Sequence, residues 1–506
     1  MTPTKTKHIT LTASLVAASL TSLSAAKDWV IDSTEDWQNI SMSSDGLEIE
    51  QGQVSPTAVN GSFQSKVQPV QKKTSLKSVH FEQSAAWLNW DPIPNTLPPV
   101  GSDAPVFLAL GPNDYWIFRR SRMKKDTVKQ SPEPNATLEG FDIPLWKTSV
   151  PRVFNAEGAF SGKGGGYHAW QSRDMVNWVH HGAITEKHSR WTTTAEYADG
   201  KLYVYYDFPN DQDPHVYVDD NLFDGIPGKD MGMAFKDPSH GSDCAIIRGL
   251  DGKWHLIYED WSPINAQRHA WDSPLAGHAV SDTGLSDFKI LDPAVDERTN
   301  PTGEMKFFSH PHWSKEDPDN YPKGFKPQYE VHEPAQRAFG DWAAISIGGQ
   351  YYLFGDYEPA HINGKKQGMS TAWFTSSSIY EQFEFCGNIG KGHPDPDIGF
   401  AEGQFYLLTQ TKEDFVSPGP WVETVEARAG VDTNKDGAVD QWTVWQEVKE
   451  SYDYIPGFAK QIERIPAKMD TSSLPSGYGF AFEFRVTDTT ENVSKPVIEK
   501  VTLSFQ

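Results

Sequence analysis

Four stretches of similar sequence indicate the fold most clearly: GKLYVYY at 200–206, GKWHLIY at 252–258, GQYYLFG at 349–355 and GQFYLLT at 403–409. Each begins with a glycine, which suits a tight turn, and continues with alternating aromatic and aliphatic side chains. A turn followed by apolar residues at every second position is typical of a hairpin that leads into a β-strand. A fifth stretch, PNDYWIF at 112–118, has the same alternation without the glycine. The chain is therefore predicted to repeat one hairpin unit five times.

A second, serine-rich element follows three of these hairpins and ends on an aromatic residue. It reads SRDMVNW at 172–178, SDTGLSDF at 281–288 and SSSIYEQF at 376–383. Such an element would connect the two outer strands of a four-stranded sheet. The hairpins are spaced irregularly, by roughly 50 to 100 residues, which fits sheets that carry large insertions. The pattern predicts an all-β fold, a five-bladed β-propeller that spans residues 100–450.

The composition agrees with an all-β protein and excludes several classes of function. The 506 residues include 18 Trp, 18 Tyr and 27 Phe, and such rings favour strands and can stack on sugars. Asp and Glu number 68 against 45 Lys and Arg, a formal charge of −23. A chain this acidic is unsuited to binding nucleic acid or an anionic membrane through its overall charge. Its two cysteines do not make a disulfide framework.

Residues 1–26 resemble a secretory signal peptide. Lys5 and Lys7 precede an apolar stretch at 11–20, and small residues at 24–26 suit a cleavage site. The apolar stretch is too short to span a bilayer, and no other segment is apolar over a sufficient length. The sequence therefore predicts a secreted or periplasmic protein without a membrane partner.

The segments on either side of the predicted propeller differ from it. Residues 27–99 are rich in Ser, Gln and Asn with weak alternation, and they are predicted to form a polar linker or an accessory β-structure. Residues 451–506 contain two strongly alternating stretches, GYGFAFEFRV and KPVIEKVTLSF. We expect strands there, which either form an accessory structure or close the propeller ring.

Every repeat has an acidic residue that is expected just before its inner strand. In a propeller those positions would surround one end of the central channel. Like charges that crowd together raise one another's pKa, which is typical of acid–base catalysts. Turn capping and metal binding are the alternatives for any one of these residues. They are Asp103, Glu196, Asp243, Asp341 and Asp397.

The order of these acidic residues and strands resembles the five-bladed glycoside hydrolases, in particular families 43 and 117. The resemblance covers roughly residues 100–420. It implies that Asp103 is the catalytic base. It also implies that Asp243 adjusts the pKa of the catalytic groups and positions the sugar.

The same resemblance leaves the general acid open. Family 117 has a His-Glu pair before the fourth inner strand, whereas Gly340 and Asp341 stand at that register here. A His-Glu pair does occur slightly upstream, at His332 and Glu333. The acid is therefore expected to be Asp341 or Glu333, with His332 as a third candidate.

Hydrolysis of a glycosidic bond needs two carboxyl groups beside the bond, one protonated and one ionised. An inverting enzyme holds them about 6.5–9.5 Å apart, which admits a water molecule. Nearby aromatic rings can stack on sugar faces, and imidazoles and carboxylates can bind hydroxyl groups. The candidate substrate-binding residues are His332, Trp191, Trp261, Trp271, Trp342, His215, His278 and Asp397.

The resemblance implies an exo-acting, inverting hydrolase of oligosaccharides from an algal galactan of the agar or carrageenan type, which releases anhydrogalactose as family 117 enzymes do. An arabinan- or xylan-type activity, as in family 43, is the alternative among enzymes. A non-catalytic carbohydrate-binding propeller is the alternative from another class, and acidic groups lying far apart would favour it. The residues themselves choose neither the sugar nor the linkage, and they leave the oligomeric state open.

Residues 432–440 read DTNKDGAVD, in which alternate oxygen-bearing side chains resemble the start of a calcium-binding EF-hand loop. Thr443 stands where the closing glutamate of an EF-hand would be, and the residues that follow alternate like a strand. The pattern predicts a structural Ca²⁺ loop between two strands of the last blade. The alternative is a turn of Asx residues that forms without metal. The predicted ligands are Asp432, Asn434, Asp436 and Asp440.

Overall fold

The described residues of the computed structural model are mainly β-strands, with one α-helix at Thr34–Ile40 and one 3₁₀ turn at Glu157–Phe160 among them. No helix of the described residues is long and apolar enough to cross a membrane. The structure describes residues 28–87, 91–92, 99, 101–121, 131–163, 165–187, 190–208, 213–236, 243–260, 276–295, 338–358, 370–390, 397–401, 403–408, 415–417, 425–487 and 494–506.

Five sheets, here called blades I to V in chain order, form the larger part of the molecule. The following strands are given from the innermost outward. Blade I contains Gly101–Gly111, Asp114–Ser121, Tyr167–Ser172, Trp178–Ala183, Val153–Asn155, Phe141–Lys147 and Ala136–Leu138. Blade II contains Arg190–Ala198, Lys201–Phe208, Asp213–Asp219 and Lys229–Met233, and blade III contains Ala245–Arg248, Trp254–Glu259, Ala276–Ser281 and Lys289–Ile290.

Blades IV and V complete the set, and blade V takes its outermost strand from a segment that precedes blade I. Blade IV contains Ala338–Ile347, Gln350–Glu358, Ser370–Ser376 and Glu384–Ile389. Blade V contains Asp397–Ala401, Gln404–Leu408, Phe415–Ser417 and Asp91–Pro92.

The inner strands of the blades contact one another in a closed ring. Each inner strand contacts that of the next blade, and the inner strand of blade V contacts that of blade I. Sheets arranged around an axis in this way form a β-propeller. The prediction of an all-β fold is confirmed.

The backbone conformation of the turn favours glycine in each repeat, and in three of the four repeats there is room for a side chain. Gly200, Gly252, Gly349 and Gly403 lie in the turns between first and second strands with φ between +77° and +84°. For the first three, a Cβ atom would meet nothing within 4 Å. The repeat without glycine has Asn113 at this position with φ +53°, and asparagine is one of the few other residues that tolerates the left-handed region.

We therefore expect Gly252→Ala to lower the free energy of unfolding by about 1 kcal/mol, because alanine is strained in the left-handed conformation. Urea denaturation followed by fluorescence would measure the change. Asn113→Gly is the matched control and should alter the stability by less than about 0.5 kcal/mol. Equal stability of the Gly252→Ala variant and the wild type would contradict this account of the turns.

The two ends of the described chain together build a β-sandwich. One sheet contains Leu47–Glu50, Gln53–Pro56, Ser494–Phe505, Leu76–Trp87 and Ala467–Met469, with Trp29–Ile31 paired to Ser494–Phe505. The other contains Ser41–Asp45, Asn60–Ser65, Gly477–Thr487, Val425–Asp432 and Gln441–Trp442, with Gln446–Glu447 and Gln68–Thr74 at its sides. Their shared core is aromatic and includes Trp37, Phe63, Phe81, Phe482 and Phe484.

The sandwich changes one predicted boundary, because Val425–Asp432 belongs to it and the expected propeller limit at residue 450 lies too far along the chain. Of the two alternatives for residues 27–99, a polar linker or an accessory β-structure, the described residues agree with the second. The alternation in Asn60–Ser65 is real, but its buried positions are Gly61, Phe63 and Ser65, and only one of these is apolar enough to be recognised in the sequence.

A hairpin between the two units enters the propeller axis. Ser451–Ile455 pairs with Phe458–Ile465, and the latter, here called the channel strand, runs parallel to the inner strand of blade IV. The channel strand contacts the inner strands of all five blades. The residues after 450 therefore divide between the channel and the sandwich.

Candidate functional site

Asp243 and Asp341 lie side by side where the inner strands of blades III and IV begin. The backbone N–H of Trp342 donates to the carbonyl oxygen of Asp243 at 3.3 Å. The N–H of Asp341 donates to Oε1 of Glu259 at 3.2 Å. Both aspartates are half-buried. The structure thus brings together the predicted pKa-adjusting residue and one of the predicted acids.

Both aspartates have strained backbones. Their φ angles are +34° at Asp243 and +51° at Asp341, a region that costs a non-glycine residue roughly 1–3 kcal/mol. The ladder of blade IV is also irregular between Gly340 and Ala343, so Asp341 leaves the regular pairing. Strain of this kind clusters at functional sites.

A second layer of acidic residues lies beside the starts of the inner strands. Asp207, Glu259 and Asp356 occupy the eighth position of their repeats, counted from the glycine, and are at most 1% exposed. They stand at the ends of the second strands, and in an antiparallel hairpin the second strand ends where the first begins. Asp356, for example, pairs with Gly340 in register. These acidic residues directly follow the seven-residue repeats in the sequence, but their position beside the inner strands depends on the register of the hairpins.

Blade I has a cation at the equivalent position. Counted from Asn113, which takes the place of the glycine, Arg120 is the eighth residue of its repeat. It pairs in register with Ser102, the neighbour of Asp103. Arg119, next to it, is fully buried and donates from Nη1 to the carbonyl oxygen of Pro99 at 3.2 Å. This entrance to the channel therefore combines an acidic side at blades II to IV with a basic side at blade I.

Glu196 lies at the opposite end of the channel. It is near the end of strand Arg190–Ala198, where its carboxylate accepts the N–H groups of Arg248 at 3.1 Å and Ala459 at 3.2 Å. Burial raises its pKa to about 7, and the charge of Lys460 opposes this rise. The prediction that Glu196 precedes its inner strand was wrong. Glu196 lies near the end of that strand, and the turn at Gly200 comes after it. Glu196 contacts the channel strand and lies away from the end of the channel at which the inner strands begin.

Asp397 begins the inner strand of blade V and is 2% exposed. Its Oδ2 accepts the backbone N–H of Phe107 in blade I. Burial raises its pKa to about 6, opposed by the charge of Lys460. Asp397 therefore joins the last blade to the first, and its predicted role in substrate binding stays a prediction.

Two predicted substrate-binding residues are enclosed and unable to contact a sugar. Trp342 is 1% exposed and packs in the hydrophobic cluster between blades III and IV, against Phe339 and Phe374. His278 is 1% exposed, and its Nε2 lies 3.0 Å from Nδ1 of His255. Burial lowers the pKa of His278 to about 3. Both predictions were wrong, because proximity to an acidic motif in sequence does not distinguish an interior position from a surface one.

The remaining candidates have different positions. His215 is half-buried in the third strand of blade II, and its Nδ1 lies 2.9 Å from the carbonyl oxygen of Asp213. Asp103 and Trp191 belong to the inner strands of blades I and II, where the structure describes their backbone. His332, Glu333, Trp261 and Trp271 lie outside the described residues.

The predicted calcium loop lies in the sandwich and not in the last blade, because it follows strand Val425–Asp432. Its carboxylates bind the loop's own backbone: Asp432 accepts N–H groups from Asn434, Lys435 and Gly437. Asp440 accepts from the N–H and hydroxyl of Thr433. Within the part of the chain that the structure describes, no three His, Cys, Asp or Glu residues are grouped so that they could hold a metal ion.

No family model matches the chain, and no curated protein matches its sequence. Solved structures of low similarity include an endo-arabinase from Bacteroides thetaiotaomicron, with 8% identity, 64% of this chain and 97% of that chain covered, and a TM-score of 0.35. An α-L-arabinanase from Cellvibrio cellulosa, complexed with arabinohexaose, has 13% identity, 63% and 90% coverage and a TM-score of 0.34. The RS223 β-xylosidase has 13% identity, 69% and 98% coverage and a TM-score of 0.35. At these values the likenesses do not by themselves establish an activity.

The raised pKa of Glu196 predicts how stability depends on pH. A carboxyl group whose pKa is higher in the folded than in the unfolded protein stabilises the fold below its unfolded pKa. That contribution, on the order of 2–3 kcal/mol, is lost as the pH rises through about 7. We expect the melting temperature of the wild type to fall between pH 5 and 8 more steeply than that of Glu196→Gln.

Differential scanning fluorimetry across this pH range would measure both slopes. Glu463→Gln is the matched control, since Glu463 is an exposed glutamate of the same channel strand, and it should keep the wild-type slope. Parallel curves for the wild type and Glu196→Gln would show that Glu196 does not titrate in this range.

Proposed function

We propose that the protein is a secreted, exo-acting glycoside hydrolase that cleaves uncharged oligosaccharides with inversion. The observation that carries this proposal is the pair Asp243 and Asp341, held half-buried in strained conformations where two inner strands begin. Strain at two neighbouring carboxylates has no evident benefit for stability, whereas an enzyme can use it to aim acidic groups at a substrate. The resemblance of residues 1–26, which lie outside the described residues, to a secretory signal peptide supports export.

We assign the role of general base to Asp103, as the resemblance to the five-bladed glycoside hydrolases implies. We assign the role of general acid to Asp341, whose backbone N–H is held by Glu259. Glu333 stays the alternative acid.

In the proposed reaction, the Asp103 carboxylate takes a proton from a water molecule as that water attacks the anomeric carbon. Asp341 donates its proton to the glycosidic oxygen as the bond to the leaving sugar breaks. The two steps invert the configuration at the anomeric carbon. Asp243 orients the bound sugar and helps to keep Asp341 protonated.

The acidic side of the entrance favours an uncharged substrate. A glycan that carries sulfate or carboxylate groups would be repelled by the carboxylates of blades II to IV and by the formal charge of −23. Arabinan- and xylan-type oligosaccharides are the first substrates to test, since the similar structures bear such names. Neutral agar-type oligosaccharides are the second, from the resemblance to family 117.

We expect Asp103→Asn and Asp243→Asn each to lower kcat by more than about a hundredfold, because acid–base groups typically contribute about 10²–10⁴-fold. Product analysis of arabino-, xylo- and neoagaro-oligosaccharides gives the substrate, and circular dichroism confirms that the variants fold. Asp341→Asn should regain rate on aryl glycosides with good leaving groups, since these need no acid. If Glu333→Gln is rescued instead, the acid is Glu333. Near-normal turnover by Asp103→Asn would overturn the base assignment.

We also propose that the 432–440 loop binds a structural calcium ion that is remote from the site. Calcium would replace the internal hydrogen bonds of Asp432 and Asp436 with coordination by oxygen. Addition of Ca²⁺ should raise the melting temperature, and Asp436→Ala should abolish that gain with little effect on kcat. An unchanged melting temperature with and without chelator would indicate the metal-free turn of Asx residues.

A further inference from the structure

We infer that Glu259 is a positioning residue that holds Asp341, across the boundary between blades III and IV, in the geometry of a general acid. This inference rests on the proposed function. Glu259 is the last residue of the second strand of blade III, 82 positions from Asp341 in sequence. The sequence shows an acidic residue at this position of the repeat, but no sequence pattern predicts its contact with Asp341.

The backbone of Asp341 needs an external support. Its φ of +51° is unfavourable for aspartate, and it lies within the irregularity between Gly340 and Ala343. Asp341 therefore lies outside the regular pairing register of blade IV. Oε1 of Glu259 accepts that N–H at 3.2 Å, and hydrogen bonds to a charged acceptor are about twice as strong as neutral ones.

Two further contacts fix the same segment. The next residue, Trp342, donates its N–H to the carbonyl oxygen of Asp243 at 3.3 Å. The indole of Trp342 is 1% exposed and packs between blades III and IV. Asp341 is thus followed directly by an anchored residue, and Glu259 accepts the N–H of its own peptide group. The side chain of Glu259 is itself 1% exposed, so it has little freedom to move away.

Catalysis is therefore expected to require the acceptor oxygen of Glu259 at its present distance from the backbone N–H of Asp341. Without it, the peptide of Asp341 can relax toward ordinary strand conformation, which turns the carboxyl group away from the glycosidic oxygen. A misplacement of about 1 Å typically costs on the order of 10² in rate. Substrate binding depends on other residues and should change little.

Three substitutions at Glu259 separate the effect of the hydrogen bond on kcat from that of the charge. A fourth substitution, at Glu450, controls for a loss of stability. Glu259→Gln keeps an acceptor oxygen and should keep kcat within about tenfold of the wild type. Glu259→Met removes the acceptor at similar size, and Glu259→Asp withdraws it by one methylene while keeping the charge. Both should lower kcat about a hundredfold with KM within about threefold. Glu450→Met removes another buried glutamate, in an ion pair with Arg464, and should lower the melting temperature without the loss of kcat.

Combination with the acid itself tests whether Glu259 acts through Asp341. In an Asp341→Asn background, Glu259→Met should lower kcat by less than about threefold, because residues that act as a unit are not additive. An equal loss in both backgrounds would overturn the inference. So would a folded Glu259→Met or Glu259→Asp variant with wild-type kcat, or a Gln variant as impaired as Met.

Hydrogen exchange gives a readout that needs no activity. Peptides that cover 338–347 should exchange faster in Glu259→Asp than in the wild type or in Glu259→Gln, while peptides of blade II should not change. If the wild type hydrolyses none of the tested glycans but this exchange pattern is found, the proposed function fails and the contact stands. If the wild type is active and exchange is unaffected, the inference about Glu259 fails alone.

Discussion

The contacts of the buried ammonium group of Lys460 hold the channel strand in the propeller, and the arrangement of the two units depends on them. Lys460 is 1% exposed in the channel strand and donates from Nζ to Thr194 Oγ1 and to the carbonyl oxygen of Ile246, both at 3.0 Å. Glu196 and Asp397 supply the opposite charges. A buried charge is costly unless it is paired and hydrogen-bonded, so the channel strand is stable only where the blades surround it.

This requirement ties the sandwich to the propeller. The channel strand leaves the sandwich and returns to it, and Arg464 at its end forms ion pairs with Glu450 and Glu499 at 3.0 and 2.8 Å. The channel strand also gives the propeller two unlike ends. One end is occupied by this strand with Glu196, and the other carries the starts of the inner strands with Asp243 and Asp341. The proposed substrate site is at the end where the inner strands begin.

The acidic residues of the inner strands show why an acidic cluster alone is a weak guide to function. Glu196 and Asp397 are acidic residues of inner strands like the others, yet they accept backbone N–H groups from neighbouring blades and so connect the ring. Asp243 and Asp341 differ from them in backbone strain and in partial exposure. These two properties, and not acidity, separate the proposed catalytic groups from the structural ones.

The hairpins of the propeller are predictable from the sequence, because each one is a local unit. Its turn residue, glycine or Asn113, and its alternating side chains lie within a few positions of one another. The pairing of the chain ends is visible in the tertiary structure alone, since Leu76–Trp87 joins Ser494–Phe505 across most of the chain. The tertiary structure also shows that Glu196 lies at the occupied end and that Glu259 meets Asp341. Such contacts cross from one blade to another, and they depend on the rotation of whole sheets about the axis, which no local pattern of residues encodes.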